Sequence, residues 1–217
     1  MKRVIIICEG PTEQEFCKIA LQRYFQQCNI FIHAPLIKKS GGGIVAWNDL
    51  KKQIDLHLND KSAIVTTLID YYGIYPKHAF PGWEESLQFT DKFKRLDFLE
   101  LKMLEVFADN KQHRVLPYLQ LHEFEGLLFN NMDTFKQNFT SEELINSKEL
   151  NQIISDHPNP ESINDKPDTA PSKRLLRLIK GYNKVVYGSI LAEEITIERI
   201  REKCVRFNDW LSKIENS

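Results

Sequence analysis

Three apolar runs in the chain end abruptly in acids. "RVIIIC" (3–8) is followed by Glu9, "AIVTTLI" (63–69) by Asp70, and "RVLPYLQL" (114–121) by His122, Glu123 and Glu125. Acids gathered along one sheet edge repel each other unless a cation neutralises them. A hard divalent ion does so through oxygen ligands; Mg²⁺ suits a few carboxylates completed by waters, with Mn²⁺ as its substitute. An ion held there would grip a phosphate and activate water for in-line attack. Glu13, four residues after Glu9, is a further candidate ligand. Each acid also has a plainer reading. Glu13 and Glu15 fall in a first helical turn, where carboxylates complement the helix dipole. Asp70 opens the turn-rich "DYYGIYP", Glu123 and Glu125 are placed to begin a helix, and His122 fits a hydrogen-bonded partner as well as a ligand.

The complementary charge lies in "APSKRLLRLIKGYNK" (170–184). Ser172 reads as a helix cap, followed by Lys173, Arg174, Arg177 and Lys180, with Leu175, Leu176, Leu178 and Ile179 between them. One reading is a solvated basic face on a core-packed helix. The other is a phosphate clamp. Lys173 would then stand at a helix N-terminus, where amides favour anions, and would stabilise charge on a transferring phosphoryl group, with Arg174 beside it. Gly10 is a third candidate phosphate contact, expected to let the chain turn sharply after Glu9 and to leave room beside the acid. "KKSGGG" (38–43) reads as a flexible loop but lacks the lysine and Ser/Thr ending of a P-loop, so ATP hydrolysis by this chain alone is not expected.

The elements that would carry these residues follow from periodicity. The two all-apolar runs are strands buried on both faces of a parallel sheet. Thr12 with Glu15 forms a capping-box pattern, opening a helix over 13–27. "IFIHAPLI" (30–37) is the next strand, and Trp47, Leu50, Ile54 and Leu58 mark the next helix. A Tyr/Gly/Pro-rich loop (71–82) and a helix over 91–108 follow, while Pro117 makes 114–121 an edge or irregular strand. Alternating strands and helices predict an α/β unit. Beyond Gly126, residues 141–154 and 189–215 read as helical, joined by the proline-rich irregular stretch 155–172.

Composition sets the class. The 217 residues carry 29 basic and 30 acidic side chains for a net charge of −1, which argues against a constitutive nucleic-acid coat and leaves a local basic groove open. Cys8, Cys17, Cys28 and Cys204 lack metal-site or disulfide-framework spacing and read as reduced thiols. No apolar stretch approaches the ~20 residues that span a bilayer, and no signal-peptide pattern opens the sequence. A soluble cytoplasmic protein without membrane association is expected.

"CEGPTEQEF" taken with "TTLIDYYGI" resembles a Toprim domain. More narrowly, "EGPTEQEF", "IDYYGI", "FPGW", "HEFEGLLF", "TAPSKRL" and "GSILAEEI" resemble the Toprim-like family of bacterial proteins catalogued as domain of unknown function 4276, over nearly the whole chain. The resemblance implies an α/β, Toprim-like (Rossmann-like), mainly parallel sheet flanked by helices, with 1–130 as core and 131–217 as a helical C-terminal extension packed on it. By analogy with overcoming-lysogenization-defect nucleases it implies metal-dependent cleavage of DNA or RNA, in a bacterial defence pair with an ATPase partner. Glu9 would match the first Toprim glutamate, Asp70 the first aspartate of the acidic pair, and Glu13 an acid of the nuclease branch. Lys173 or its neighbour would match that branch's catalytic lysine. Tyr72 stands where the second aspartate is usual, so Glu123 or Glu125 would have to replace it as a ligand. The alternative is a non-catalytic Toprim-like module that binds a partner protein or a nucleotide. Tyr72 favours that alternative; Glu123 and Glu125 favour the enzyme.

Overall fold

A computed structural model describes residues 2–38, 43–163 and 167–217. Positions 39–42 of the expected 38–43 loop and 164–166 of the proline-rich stretch lie outside the described residues. The chain divides into two compact units, one of Met1–Leu121 with Trp210–Ser217 and one of His122–Asp209.

The first unit runs β1 (Lys2–Cys8), α1 (Pro11–Phe16), a π-helical stretch (Cys17–Leu21), α2 (Gln22–Gln26), β2 (Ile30–His33), α3 (Trp47–His57) and β3 (Ala63–Asp70). Then come α4 (Trp83–Ser86), α5 (Lys92–Glu105), α6 (Asp109–Gln112), β4 (Val115–Leu116) and β5 (Leu119–Gln120). Among the described residues the five strands pair in parallel, in the order β2-β1-β3-β4, with β5 also on β3. The expected α/β fold, a mainly parallel sheet flanked by helices, is the one the chain adopts. Both faces are buried because the strand residues are apolar in both parities. Ile5, Ile7, Val65 and Ile69 pack against Trp47, Leu50 and Ile54 of α3 and Leu96, Leu99 and Met103 of α5. Val4, Ile6 and Cys8 alternate with them and are equally buried.

Two local readings are corrected. The first helix begins at Pro11 with Gly10 as N-cap, not at Thr12, because proline is pre-set for the first helical position. Glu13, not Glu15, reaches back to the cap, its carboxylate accepting the Gly10 N–H at 3.0 Å; Glu15 instead pairs with Lys18 at 2.8 Å. The expected single helix over 13–27 is also interrupted, with the Gln22 amide donating to the Cys17 carbonyl in π register.

Pro117 splits the expected 114–121 strand into β4 and β5, since it has no amide to donate. The Thr67 side chain substitutes for the missing ladder: its hydroxyl accepts the Tyr118 N–H at 3.0 Å and donates to the Tyr118 carbonyl at 2.8 Å.

The second unit carries a 3₁₀ turn (Phe124–Leu128), α7 (Met132–Asn138), α8 (Ser147–Asp156), α9 (Pro171–Leu178), α10 (Lys184–Ile195) and α11 (Ile197–Lys203). The final helix, α12 (Val205–Asn216), has its residues from Trp210 onward in the first unit. The expected 189–215 helix is thus three, broken at Thr196, which sits at φ 73, and at Cys204. The basic helix spans only α9 and starts from Ala170 as N-cap, so Ser172 is inside the first turn. Among the described residues, no helix is long and apolar enough to cross a membrane.

Candidate active site

β1 and β3 are parallel neighbours with Cys8 opposite Leu68, so the first residues past β1 arrive level with the end of β3. The Glu9 amide donates to the Leu68 carbonyl at 3.1 Å. In return, the Asp70 amide donates to Glu9 Oε2 at 2.9 Å. Asp70 Oδ1 accepts the Tyr72 N–H at 2.8 Å, turning the chain into a short 3₁₀ segment, Tyr71–Gly73. Both carboxylates are therefore oriented by backbone amides at the carboxyl edge of adjacent strands, the edge at which open parallel sheets bind ligands.

Gly73, which sequence reasoning did not single out, belongs to this arrangement. A Cβ at this position would lie 3.2 Å from Glu9 Oε1, so the glycine makes the space the carboxylate occupies. Its only signal in the sequence is a glycine three residues beyond the acid. Gly10 acts differently from expectation. Its backbone is extended, at φ −142 and ψ 178, so no glycine-specific turn is needed there. The room it leaves is real, because an added Cβ would meet Glu13 Oε2 at 3.1 Å. Its amide is engaged by the same Glu13 oxygen.

Glu9, Asp70 and Glu13 offer only carboxylate oxygens, the donor set of a hard cation such as Mg²⁺ or Mn²⁺ rather than of zinc. A carboxylate oxygen has two lone pairs, so accepting one N–H leaves it able to ligate. Among the described residues no group of three His, Cys, Asp or Glu side chains forms a ready metal cage. Mg²⁺ commonly takes one or two carboxylates and keeps its remaining waters for substrate phosphate, so Glu9 and Asp70 are the residues that would hold such an ion.

The other candidates lie in the second unit. Glu123 Oε2 accepts the Ser172 N–H at 2.9 Å, so the α9 N-terminus, read as an anion site, already holds a protein carboxylate. Lys173 is exposed and faces Asp168 at 3.8 Å. Arg174 donates through Nε to the Thr169 carbonyl at 2.7 Å and through Nη2 to that of Ile163 at 3.4 Å, bracing the segment before α9. Glu125 and His122 are buried. Burial, reinforced by the charges of Glu125 and Glu123, pushes the Tyr182 phenol well above its usual range.

The family model described as "Domain of unknown function (DUF4276)" matches residues 8–215. No curated protein matches the chain. Two solved structures of the C-terminal region of the Xanthomonas campestris pv. campestris OLD protein, one phased with mercury and one with iodine, are similar to it. Each is 16% identical and aligns over 100% of this chain and 99% of its own, with TM-scores of 0.41 and 0.40 respectively.

Proposed function

The chain belongs to the DUF4276 family, and from that premise we propose that it is a divalent-metal-dependent phosphodiesterase acting on DNA or RNA, with Glu9 and Asp70 at its centre. The observation that carries this reading is the 2.9 Å bond from the Asp70 amide to Glu9 Oε2, which joins two acids at the carboxyl ends of adjacent parallel strands. Unlike a capping carboxylate, which accepts an amide of its own turn, Glu9 reaches across to the amide of the neighbouring strand and is held at the sheet edge where parallel sheets bind ligands.

In this reading Glu9 and Asp70 hold Mg²⁺ or Mn²⁺, and Glu13 ties the turn that follows Glu9. Held by these carboxylates, such an ion would polarise a phosphoryl oxygen and lower the pKa of a coordinated water. The protein's own contribution is placement. The Asp70 amide fixes Glu9, the Tyr72 amide fixes Asp70, and Gly73 leaves room for the Glu9 carboxylate. A role in bacterial defence beside an ATPase partner belongs to the same proposal and is supported by the motif resemblance alone.

A second reading is a non-catalytic module that binds a partner protein or a nucleotide. The lack of a three-acid cage among the described residues favours it. One experiment separates the two: labelled DNA and RNA are incubated with the purified protein in Mg²⁺ or Mn²⁺. Metal-dependent cleavage should appear and fall on the order of 10²-fold in Glu9→Gln and Asp70→Asn. Absence of both cleavage and calorimetric Mn²⁺ binding in the native chain supports the module. Undiminished cleavage in both variants would place the chemistry elsewhere.

A further inference from the structure

The segment beyond Asp70 presents aromatic rings to solvent. Tyr71, Ile74 and Phe80 are buried and anchor it to the core, whereas Tyr72 is 40% exposed and Tyr75 56% exposed. The anchors hold the segment to the core, and the outward rings rest on them only in part: the Tyr72 ring meets that of Tyr71 edge-on at 5.4 Å and the Tyr75 ring lies 5.8 Å from that of His78, yet both remain exposed. Each outward ring has an ammonium over it: Lys92 Nζ lies 5.7 Å from the Tyr72 centroid and Lys77 Nζ 5.8 Å from that of Tyr75.

The backbone beneath the rings is fixed. Asp70 Oδ1 accepts the Tyr72 amide, the Ile74 amide donates to the Tyr71 carbonyl at 3.0 Å, and the Tyr75 amide donates to His78 Nδ1 at 3.0 Å. Arg95 of α5 holds the Tyr71 hydroxyl at 3.1 Å. At the far end Gly82 adopts φ +71, and a Cβ there would collide with Lys102 Cγ at 2.6 Å, so the "FPGW" turn admits only glycine.

We propose that Tyr72 and Tyr75 form a stacking platform for the unpaired bases of a single-stranded nucleic acid, with Lys77 and Lys92 contacting its phosphates beside the Glu9–Asp70 pair. Every base has a π-face, so stacking on tyrosine is tolerant of sequence; in a duplex those faces are already stacked on each other. An ammonium over a ring is held weakly at an exposed site and can transfer to a phosphate without a large loss.

The consequence for catalysis rests on reading Glu9 and Asp70 as a phosphodiester-cleaving centre, but the binding itself does not, and the test keeps them apart. Fluorescence anisotropy in EDTA is measured with labelled oligo(dT) and oligo(U) of about 12 nucleotides, within the usual site size for such grooves, and with a blunt duplex of the same length. Binding of either single strand, at least about tenfold tighter than the duplex, is expected, and the two strands report which sugar is preferred. Tyr72→Ala and Tyr75→Ala should each weaken single-strand binding about tenfold, the size of one lost base stack, while Tyr72→Phe and Tyr75→Phe retain it. Replacing Lys77 and Lys92 with alanine should flatten the salt dependence, each phosphate contact contributing about 0.7 to the slope. Circular-dichroism melts check that each variant remains folded. No binding by the native chain, equal binding of the duplex, or alanine variants as tight as native would overturn the platform, and the last two leave the metal centre untouched. Tyrosine-dependent binding with no metal-dependent cleavage keeps the platform and removes the centre.

Discussion

A carboxylate that accepts an amide from the neighbouring strand is oriented before any ligand arrives. Glu9 is in that position, and its rotamer depends on the space at Gly73. Gly73→Ala therefore isolates orientation from stability. Gly73 does not need left-handed backbone geometry, so alanine is compatible there and slightly stabilising through the unfolded chain, by roughly 0.4–1 kcal/mol. Its Cβ would nevertheless press on Glu9 Oε1 at 3.2 Å. The expected outcome is a melting temperature at or slightly above native with Mn²⁺ affinity reduced about tenfold, or about 1.4 kcal/mol, by calorimetry. Native affinity in Gly73→Ala would mean that this rotamer of Glu9 is not the ligating one. At this scale the acids were legible, since a buried strand that ends in a carboxylate stands out in any window. Their neighbours were not. The Asp70 amide and Gly73 reach Glu9 only through the pairing of β1 with β3, and no local pattern encodes a contact across strands.

Element by element, the strands and the α/β alternation followed from apolar periodicity, while caps and interruptions escaped it. A capping-box pattern at Thr12 and Glu15 competed with proline at the first helical position, and the proline won, making Glu13 the residue that reaches the cap. Pro117 was readable as a disruption, but its remedy through the Thr67 hydroxyl was not. The cap of α12 was equally hidden. Glu161 Oε2 accepts the Arg206 amide at 2.9 Å and Oε1 that of Phe207 at 3.0 Å, from a proline-rich stretch with no regular pattern. Burial pushes this carboxyl up to about 7, against the pull of those two amides and of the Arg206 charge, with Asp209 adding to the rise. A carboxyl raised in the folded state stabilises it most below its unfolded value of 4.5, and that contribution is lost as pH climbs to about 7. Glu161→Gln cannot titrate, and its single carbonyl oxygen replaces two acceptors. The stability advantage of native over Glu161→Gln, read from urea midpoints, should therefore be largest below about pH 4.5 and shrink as pH rises to about 7.5. A gap that widens with pH would mean that Glu161 is held as a carboxylate throughout.

At the scale of the whole molecule, sequence order and spatial order part company at the last helix. Periodicity shows that a helix buries one stripe, but not what that stripe meets, so the return of Trp210–Ser217 to the first unit was invisible. Inside that unit Trp210 stacks on Tyr118, with ring centroids 4.4 Å apart, and its Nε1 donates to Thr66 Oγ1 at 2.8 Å. The same helix end is held by Lys2 Nζ, which donates to the Ile214 and Glu215 carbonyls at 3.1 and 3.0 Å, and by the Tyr24 hydroxyl on Glu215 Oε1 at 2.7 Å. The sheet that presents Glu9 and Asp70 is thus completed by residues from the far end of the chain. Trp210→Ala removes a fully packed indole and leaves a cavity, a loss of about 3–5 kcal/mol. Trp210→Phe keeps most of the stack and forfeits one buried hydrogen bond, about 1–2 kcal/mol. Urea denaturation should rank native above Trp210→Phe above Trp210→Ala, and removal of residues 210–217 should cost more than either. If Glu9 and Asp70 form the metal centre, metal-dependent cleavage should follow the fraction folded across these variants, because none of the changes touches Glu9, Glu13 or Asp70. If Trp210→Ala unfolds at the native urea concentration, the helix end is not a structural part of the first unit, and the sheet must be stable without it.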